Sequence, residues 1–123
     1  MILIDTSVWA DHFRAADPDV VRLLAKRRVV VHRLVTEELI LGHLPNREKT
    51  VAMLARLPRL NMLDSVSTIR FVDENGLVGA GLGLVDVHLL ASAVLRSAAL
   101  WARDKRLAAQ AERLGCAWTP LSG

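Results

Sequence analysis

The sequence predicts an α/β fold in which a central parallel sheet is covered on both faces by helices, giving three layers, α/β/α. Two observations carry this expectation. The segments Ile2-Leu3-Ile4, Val29-Val30-Val31 and Leu100-Trp101-Ala102 are short and apolar at every position rather than at alternate ones, which is the pattern of strands buried on both faces. Each is followed by a stretch whose apolar residues recur at three- and four-residue spacing, so helices alternate with strands and supply the crossovers that parallel pairing requires.

Taken in order, the first strand runs into the acid-hydroxyl cluster Asp5-Thr6-Ser7, which starts a helix over about Thr6 to Arg14. Asp17-Pro18-Asp19 restarts the chain with an N-cap and an early proline, and Val20, Leu23 and Leu24 set the helical spacing. Val29-Val30-Val31 is the second strand. Leu34 to Leu41 has helical spacing and stops at Gly42, read as a C-cap. Asn46 to Leu57 is amphipathic, with Val51, Leu54 and Ala55 on one face and Arg47, Lys49 and Arg56 largely off it. Leu60-Asn61-Met62-Leu63 reads as a short strand, and Ser65 or Ser67 as the cap of a helix running toward Gly76. Gly76, Gly79, Gly81 and Gly83 form the most flexible stretch, but no Gly-Lys-Ser/Thr follows, so it is not a phosphate loop. Leu84 to Ala99 is strongly helical, Leu100-Trp101-Ala102 a strand, Asp104 to Leu114 a helix stopped by Gly115, and Cys116-Ala117-Trp118 a final strand.

Composition narrows the function classes. The chain has 123 residues, the size of one domain spanning 1–123, with 52% hydrophobic and 24% charged residues and a mean hydropathy of +0.30, which excludes intrinsic disorder. Its apolar runs are a few residues long, far below the ~20 needed to cross a bilayer. The opening Met1-Ile2-Leu3-Ile4-Asp5 lacks a basic leader, and a lone Cys116 forms no internal disulfide, so a cytoplasmic protein is expected. Sixteen Lys and Arg against thirteen Asp and Glu leave +3. If several acids are committed to an internal site, the remaining surface is more basic, which suits a polyanion such as nucleic acid; ordinary Arg-rich composition gives the same total.

Ligands of parallel α/β sheets bind beyond the carboxyl ends of the strands, so acids placed there matter most. Asp5 follows the first strand and Asp104 the strand at Leu100-Trp101-Ala102, while the long helix and its return bring Asp86 toward the same edge. Asp86 shares its helical face with Leu82, Leu89, Leu90 and Ala93, and Glu38 has Leu34, Val35 and Leu41 as neighbours. Carboxylates on apolar stripes need partners, and four converging ones repel each other unless cations sit among them. An oxygen-only cluster favours a hard ion, Mg²⁺ or Mn²⁺. Singly, each acid also has a plain structural reading: Asp5 and Asp104 as helix caps, Glu37 and Glu38 as first-turn acids, Asp86 as an ion-pair partner. Asp11, Asp17, Asp19, Asp64, Asp73, Glu48, Glu74 and Glu112 read as caps or solvated faces. His88, two positions from Asp86, faces away from it, and Trp9, Trp101, Trp118 and Cys116 read as core.

Four segments together resemble the PIN-domain ribonucleases, most closely the VapC-type toxins of bacterial toxin-antitoxin pairs. They are Ile2-Leu3-Ile4-Asp5-Thr6-Ser7-Val8-Trp9, Thr36-Glu37-Glu38-Leu39-Ile40-Leu41-Gly42, Val85-Asp86-Val87-His88-Leu89-Leu90-Ala91-Ser92-Ala93 and Leu100-Trp101-Ala102-Arg103-Asp104-Lys105-Arg106-Leu107. The resemblance runs nearly end to end and implies a PIN-like fold with Asp5, Glu38, Asp86 and Asp104 as the acidic site. Glu38 is preferred to Glu37 because it precedes Gly42 by the family's four residues. Thr6 or Ser7 matches the hydroxyl that orients the first carboxylate. Ala102 departs from the family pattern, which often has Thr or Ser there, so one supporting hydrogen bond is absent or supplied by water.

The same resemblance implies metal-dependent endoribonuclease chemistry, with Mg²⁺ or Mn²⁺ held chiefly by Asp5 and Asp86. Glu38 and Asp104 would hold a second ion or position its waters, and cleavage would leave a 5′-phosphate and a 3′-hydroxyl. It implies a VapB-type antitoxin partner and a homodimer. Arg14, Arg103, Lys105 and Arg106, beside the acids, are candidates to hold the RNA backbone. Two other readings compete. A phosphoacceptor (receiver-like) domain would use an acid after the first strand and a late lysine, here Lys105, but it wants an acidic pair where Thr6 and Ser7 stand. A non-catalytic PIN-fold interaction module would have no need of four intact acids.

Overall fold

The computed structural model describes residues 1–121. Its sheet is built from strands of two to four residues, β1 (Ile2–Ile4), β2 (Val29–His32), β3 (Arg59–Leu60) and β4 (Ala99–Trp101), all parallel in the order β3-β2-β1-β4. β1 and β2 are buried at every position, as strands covered on two faces must be. Chain order runs outward from β1 to β2 to β3, then returns so that β4 lies on the other flank of β1, with Ile2 opposite Ala99 and Ile4 opposite Trp101. Right-handed crossovers therefore place the helices before β3 on one face and those after it on the other.

The helices are α1 (Thr6–Arg14), α2 (Pro18–Ala25), α3 (Arg33–Leu41), α4 (Arg47–Arg56), α5 (Ser65–Glu74), α6 (Leu84–Leu95) and α7 (Lys105–Arg113). α1 packs on α3, and α6 on α5, α7 and β4. Leu3, Ile4, Val8, Trp9, Val31, Val35, Leu89, Leu90, Leu100 and Leu107 fill the space between them. The three-layer α/β/α architecture with a central parallel sheet expected from the sequence is the one observed.

Four local readings need correction. The short strand read over Leu60 to Leu63 is Arg59–Leu60 instead, the two residues that pair with Val31 and His32. Asp64, not a serine, caps α5, its carboxylate accepting the Ser67 N–H at 2.7 Å. The long helix ends at Leu95, because Ser97 adopts φ +57 and lets Ala98 N–H donate back to the Ala93 carbonyl at 2.9 Å. The final strand is a single parallel bridge, Leu100 to Ala117.

α4 is largely exposed and held through Leu54, fully buried in the core. Leu54→Ala is expected to cost about 2–5 kcal/mol, read as a lower denaturant midpoint. His32, fully buried, caps α3 by accepting the Leu34 N–H on Nδ1 at 3.1 Å, with its ring 6.3 Å from that of His88. His88 lies on the buried side of α6, turned inward. Burial first, then the neighbouring His88, pushes the pKa of His32 down to about 4. The folded state therefore keeps His32 neutral while the unfolded chain takes up a proton below about 6.5, so stability is full above that pH and falls as pH drops toward 4. Urea titrations at pH 7.5 and 5 are expected to show this loss, at most about 2 kcal/mol from this group between those two values. His32→Asn, which keeps a cap acceptor, should flatten the difference.

Candidate active site

Connections leave β1 toward one flank of the sheet and reach β4 on the other, so the crevice beyond the carboxyl ends of these two strands is the topological switch point. Asp5 stands there at the end of β1, its backbone N–H donating to the Trp101 carbonyl at 3.0 Å. Its carboxylate is buried; Oδ1 accepts the Thr6 N–H at 2.7 Å and Oδ2 the Ser7 hydroxyl at 3.4 Å. Asp104 follows β4 and caps α7, Oδ1 accepting the Leu107 N–H at 3.0 Å. Asp86, in the first turn of α6, accepts the Gly83 N–H at 3.4 Å. Glu38 on α3 accepts the Thr6 hydroxyl on Oε1 at 2.8 Å. Asp5, Asp86 and Asp104 are thus oriented by local donors, and Glu38 by a hydroxyl from α1. Glu37, by contrast, turns out to Arg33 at 2.9 Å.

Electrostatics tie these four acids into one cluster. Burial raises the Asp5 pKa, against the Thr6 N–H and Ser7 hydroxyl that lower it, and the charges of Asp86 and Glu38 raise it further. Burial likewise raises Asp86, against the Gly83 N–H, with Asp104 and Glu38 adding to the rise. No ion pair among the described residues engages any of the four.

The flanking cations are arranged differently from the acids. Arg14 pairs with Asp11, and Arg103 pairs with Asp11 and with Asp17 at 3.0 Å while its guanidinium lies 5.9 Å from the Trp101 ring. Asp17 also caps α2. Lys105 and Arg106 are exposed; Arg106 Nη1 approaches the Gly81 carbonyl at 3.5 Å, and a Cβ at Gly81, where φ is +80, would stand 3.0 Å from that nitrogen. Gly81 therefore leaves room for Arg106 beside α6. Asp11 and Asp17 are the participants that sequence reasoning missed, since their partner lies 86 or more residues away.

The donors suit a hard divalent ion: all are carboxylate oxygens, carrying excess negative charge in a partly dry crevice. Among the described residues, no three His, Cys, Asp or Glu side chains already close on one point. Mg²⁺ does not demand that, because it binds through one or two carboxylates and keeps several waters.

A sequence model of the PIN domain matches residues 2–113. The chain belongs to the PIN-domain family. Ribonuclease VapC32 of Mycobacterium tuberculosis, in strains CDC 1551 / Oshkosh and ATCC 25618 / H37Rv, is 44% identical to this PIN domain over 118 residues, 95% of each chain. The crystal structure of FitAcB from Neisseria gonorrhoeae shares its fold, with a TM-score of 0.64 at 21% identity over 91% of this chain and 94% of that one. Membership of the PIN family displaces the phosphoacceptor reading.

Removing one negative charge from the cluster should relieve its repulsion. Asp86→Asn retains an acceptor for the Gly83 N–H and is expected to lower the Asp5 pKa and stabilise the metal-free PIN domain at neutral pH, by about 0.5–2 kcal/mol. The Asp5 carboxyl shift in an NMR titration, together with thermal melts at pH 7, reads both effects.

Proposed function

We propose that this PIN domain is a divalent-metal-dependent endoribonuclease and the toxin of a toxin-antitoxin pair. The observation that carries the reading is the convergence of Asp5, Glu38, Asp86 and Asp104 at the switch point with no cation among the described residues paired to them. Similarity to Ribonuclease VapC32 supports RNA as the substrate.

Asp5 and Asp86 would hold the ion, Mg²⁺ or Mn²⁺, with Asp104 and Glu38 completing the site. When bound, such an ion acidifies water and offsets charge that builds on the phosphate oxygens. The chain's own contribution is orientation. Thr6 serves two acids at once, its N–H fixing Asp5 and its hydroxyl fixing Glu38, so attack geometry depends on the first turn of α1. Ser7 holds the second Asp5 oxygen. Lys105 and Arg106 flank Asp104 and would hold the RNA backbone; Arg14 and Arg103 would do so only in competition with Asp11 and Asp17.

In this reading a VapB-type antitoxin masks the crevice, and two copies pair as a homodimer. Val66 and Ile69, one turn apart and exposed on α5, offer apolar surface for such contacts. Among the described residues no helix is long and apolar enough to cross a membrane; the proposal has a single domain acting on RNA in the cytoplasm.

Incubation of the purified protein with labelled structured RNA tests the proposal. Cleavage is expected in Mg²⁺ or Mn²⁺, none in EDTA, and none from folded Asp86→Asn. Cutting that survives the substitution would reject the assigned site, and absence of metal binding by calorimetry would sink the nuclease reading.

A further inference from the structure

Two of the four cations expected beside the acids, Arg14 and Arg103, are engaged by Asp11 and Asp17, yet the chain has other cations that are not. Lys26, Arg27 and Arg28 form the turn between α2 and β2, and Arg56 and Arg59 flank the entry to β3. All five are exposed, and no ion pair among the described residues engages them. Because every strand is parallel, these turns lie together at the amino ends of β2 and β3, the edge opposite the acidic crevice. Backbone hydrogen bonds stitch that edge: Ile2 N–H to the Arg28 carbonyl at 2.7 Å and Val31 N–H to the Pro58 carbonyl at 2.8 Å. Arg27, at φ +55, is fixed by its own N–H on the Leu24 carbonyl, and the Arg28 N–H bonds to Leu23.

Two concavities give this patch more than charge. Between Arg27 and Arg56 a pocket of about 340 Å³ opens over Leu24, Val29, Leu57 and Pro58. Beyond Lys26 and Arg28 a smaller one of about 160 Å³ reaches the half-buried Trp118 indole. Cations that track a backbone, interleaved with apolar and aromatic surfaces on which bases rest, are what single-stranded nucleic acid requires. A solvated charged face needs no such pockets, and an anionic membrane surface asks only for the charge.

We propose that Lys26, Arg27, Arg28, Arg56 and Arg59 form a second RNA-binding surface, on the edge of the sheet away from the carboxylates, that captures single-stranded stretches of long substrates. The identity of the polyanion rests on the nuclease reading above. An RNA bound at both places must pass around the sheet, so the surface acts on long substrates and is silent for short ones.

The test compares the protein carrying Arg27→Asn and Arg56→Gln with its parent, after thermal melts show equal folding. Binding of a labelled 30-nucleotide single-stranded RNA is measured in the Asp86→Asn background at several salt concentrations. Loss of two phosphate contacts should lower the slope of log K against log salt by about 1.4. With Asp86 intact, cleavage of long RNA should fall several-fold through KM while cleavage of a hexanucleotide stays unchanged. An unchanged slope, or no RNA binding by the parent, overturns the proposal. Loss of binding to phosphatidylglycerol vesicles with RNA binding retained overturns it in favour of a membrane surface. A lowered slope with no cleavage by the parent would support this surface while rejecting the nuclease reading.

Discussion

The parallel pairing of β1 with β4 is the constraint on which the acidic crevice depends. Ile4 opposite Trp101 and the Asp5 N–H on the Trp101 carbonyl bring the ends of two strands almost a hundred residues apart in sequence to one place. A shift by one residue would send Asp5 to the other face of the sheet, so this register aligns chemistry as well as packing. α3 and α6 then need only deliver one acid each, Glu38 and Asp86, from either side.

The acids perform two tasks that elsewhere belong to different residues. Asp5 orders the first turn of α1, Asp104 caps α7 and Asp86 holds the entry to α6, so the same oxygens that start three helices also define the crevice. Donors explain why the carboxylates tolerate one another: each of these three receives an N–H, and Glu38 the Thr6 hydroxyl, that favours its charged form. Burial and mutual repulsion still raise Asp5 and Asp86, a tension of the kind that gathers at functional sites.

Much of this arrangement is legible in the chain itself. The all-apolar runs at Ile2, Val29 and Leu100 reveal parallel strands because burial on both faces leaves no alternation, and acids directly after such runs fall at the binding edge by topology alone. Asp5 and Asp104 each cap a helix and also stand at the carboxyl end of a strand, so the cap reading and the proposed site reading do not compete. Boundaries set by conformation are less legible: nothing in Ser97 announces φ +57, and the choice of Asp64 over Ser65 or Ser67 turns on a single hydrogen bond. Long-range ion pairs are invisible in sequence. Arg103 directly precedes Asp104 in sequence, yet its guanidinium is turned to Asp11 and Asp17.

The same β1–β4 register has a meaning for the order in which the molecule comes into being. Ile2, Leu3 and Ile4 find one of their two neighbours only when Ala99, Leu100 and Trp101 exist, and Asp104 follows later still. During translation, a chain that has emerged only as far as α6 has Asp5, Glu38 and Asp86 but neither the strand that completes the crevice nor its fourth carboxylate. Non-local pairing of this kind also forms slowly, because a long loop must close before it is rewarded. The ribosome, itself made of RNA, therefore synthesises this protein without its complete acidic crevice until β4 and Asp104 have been made.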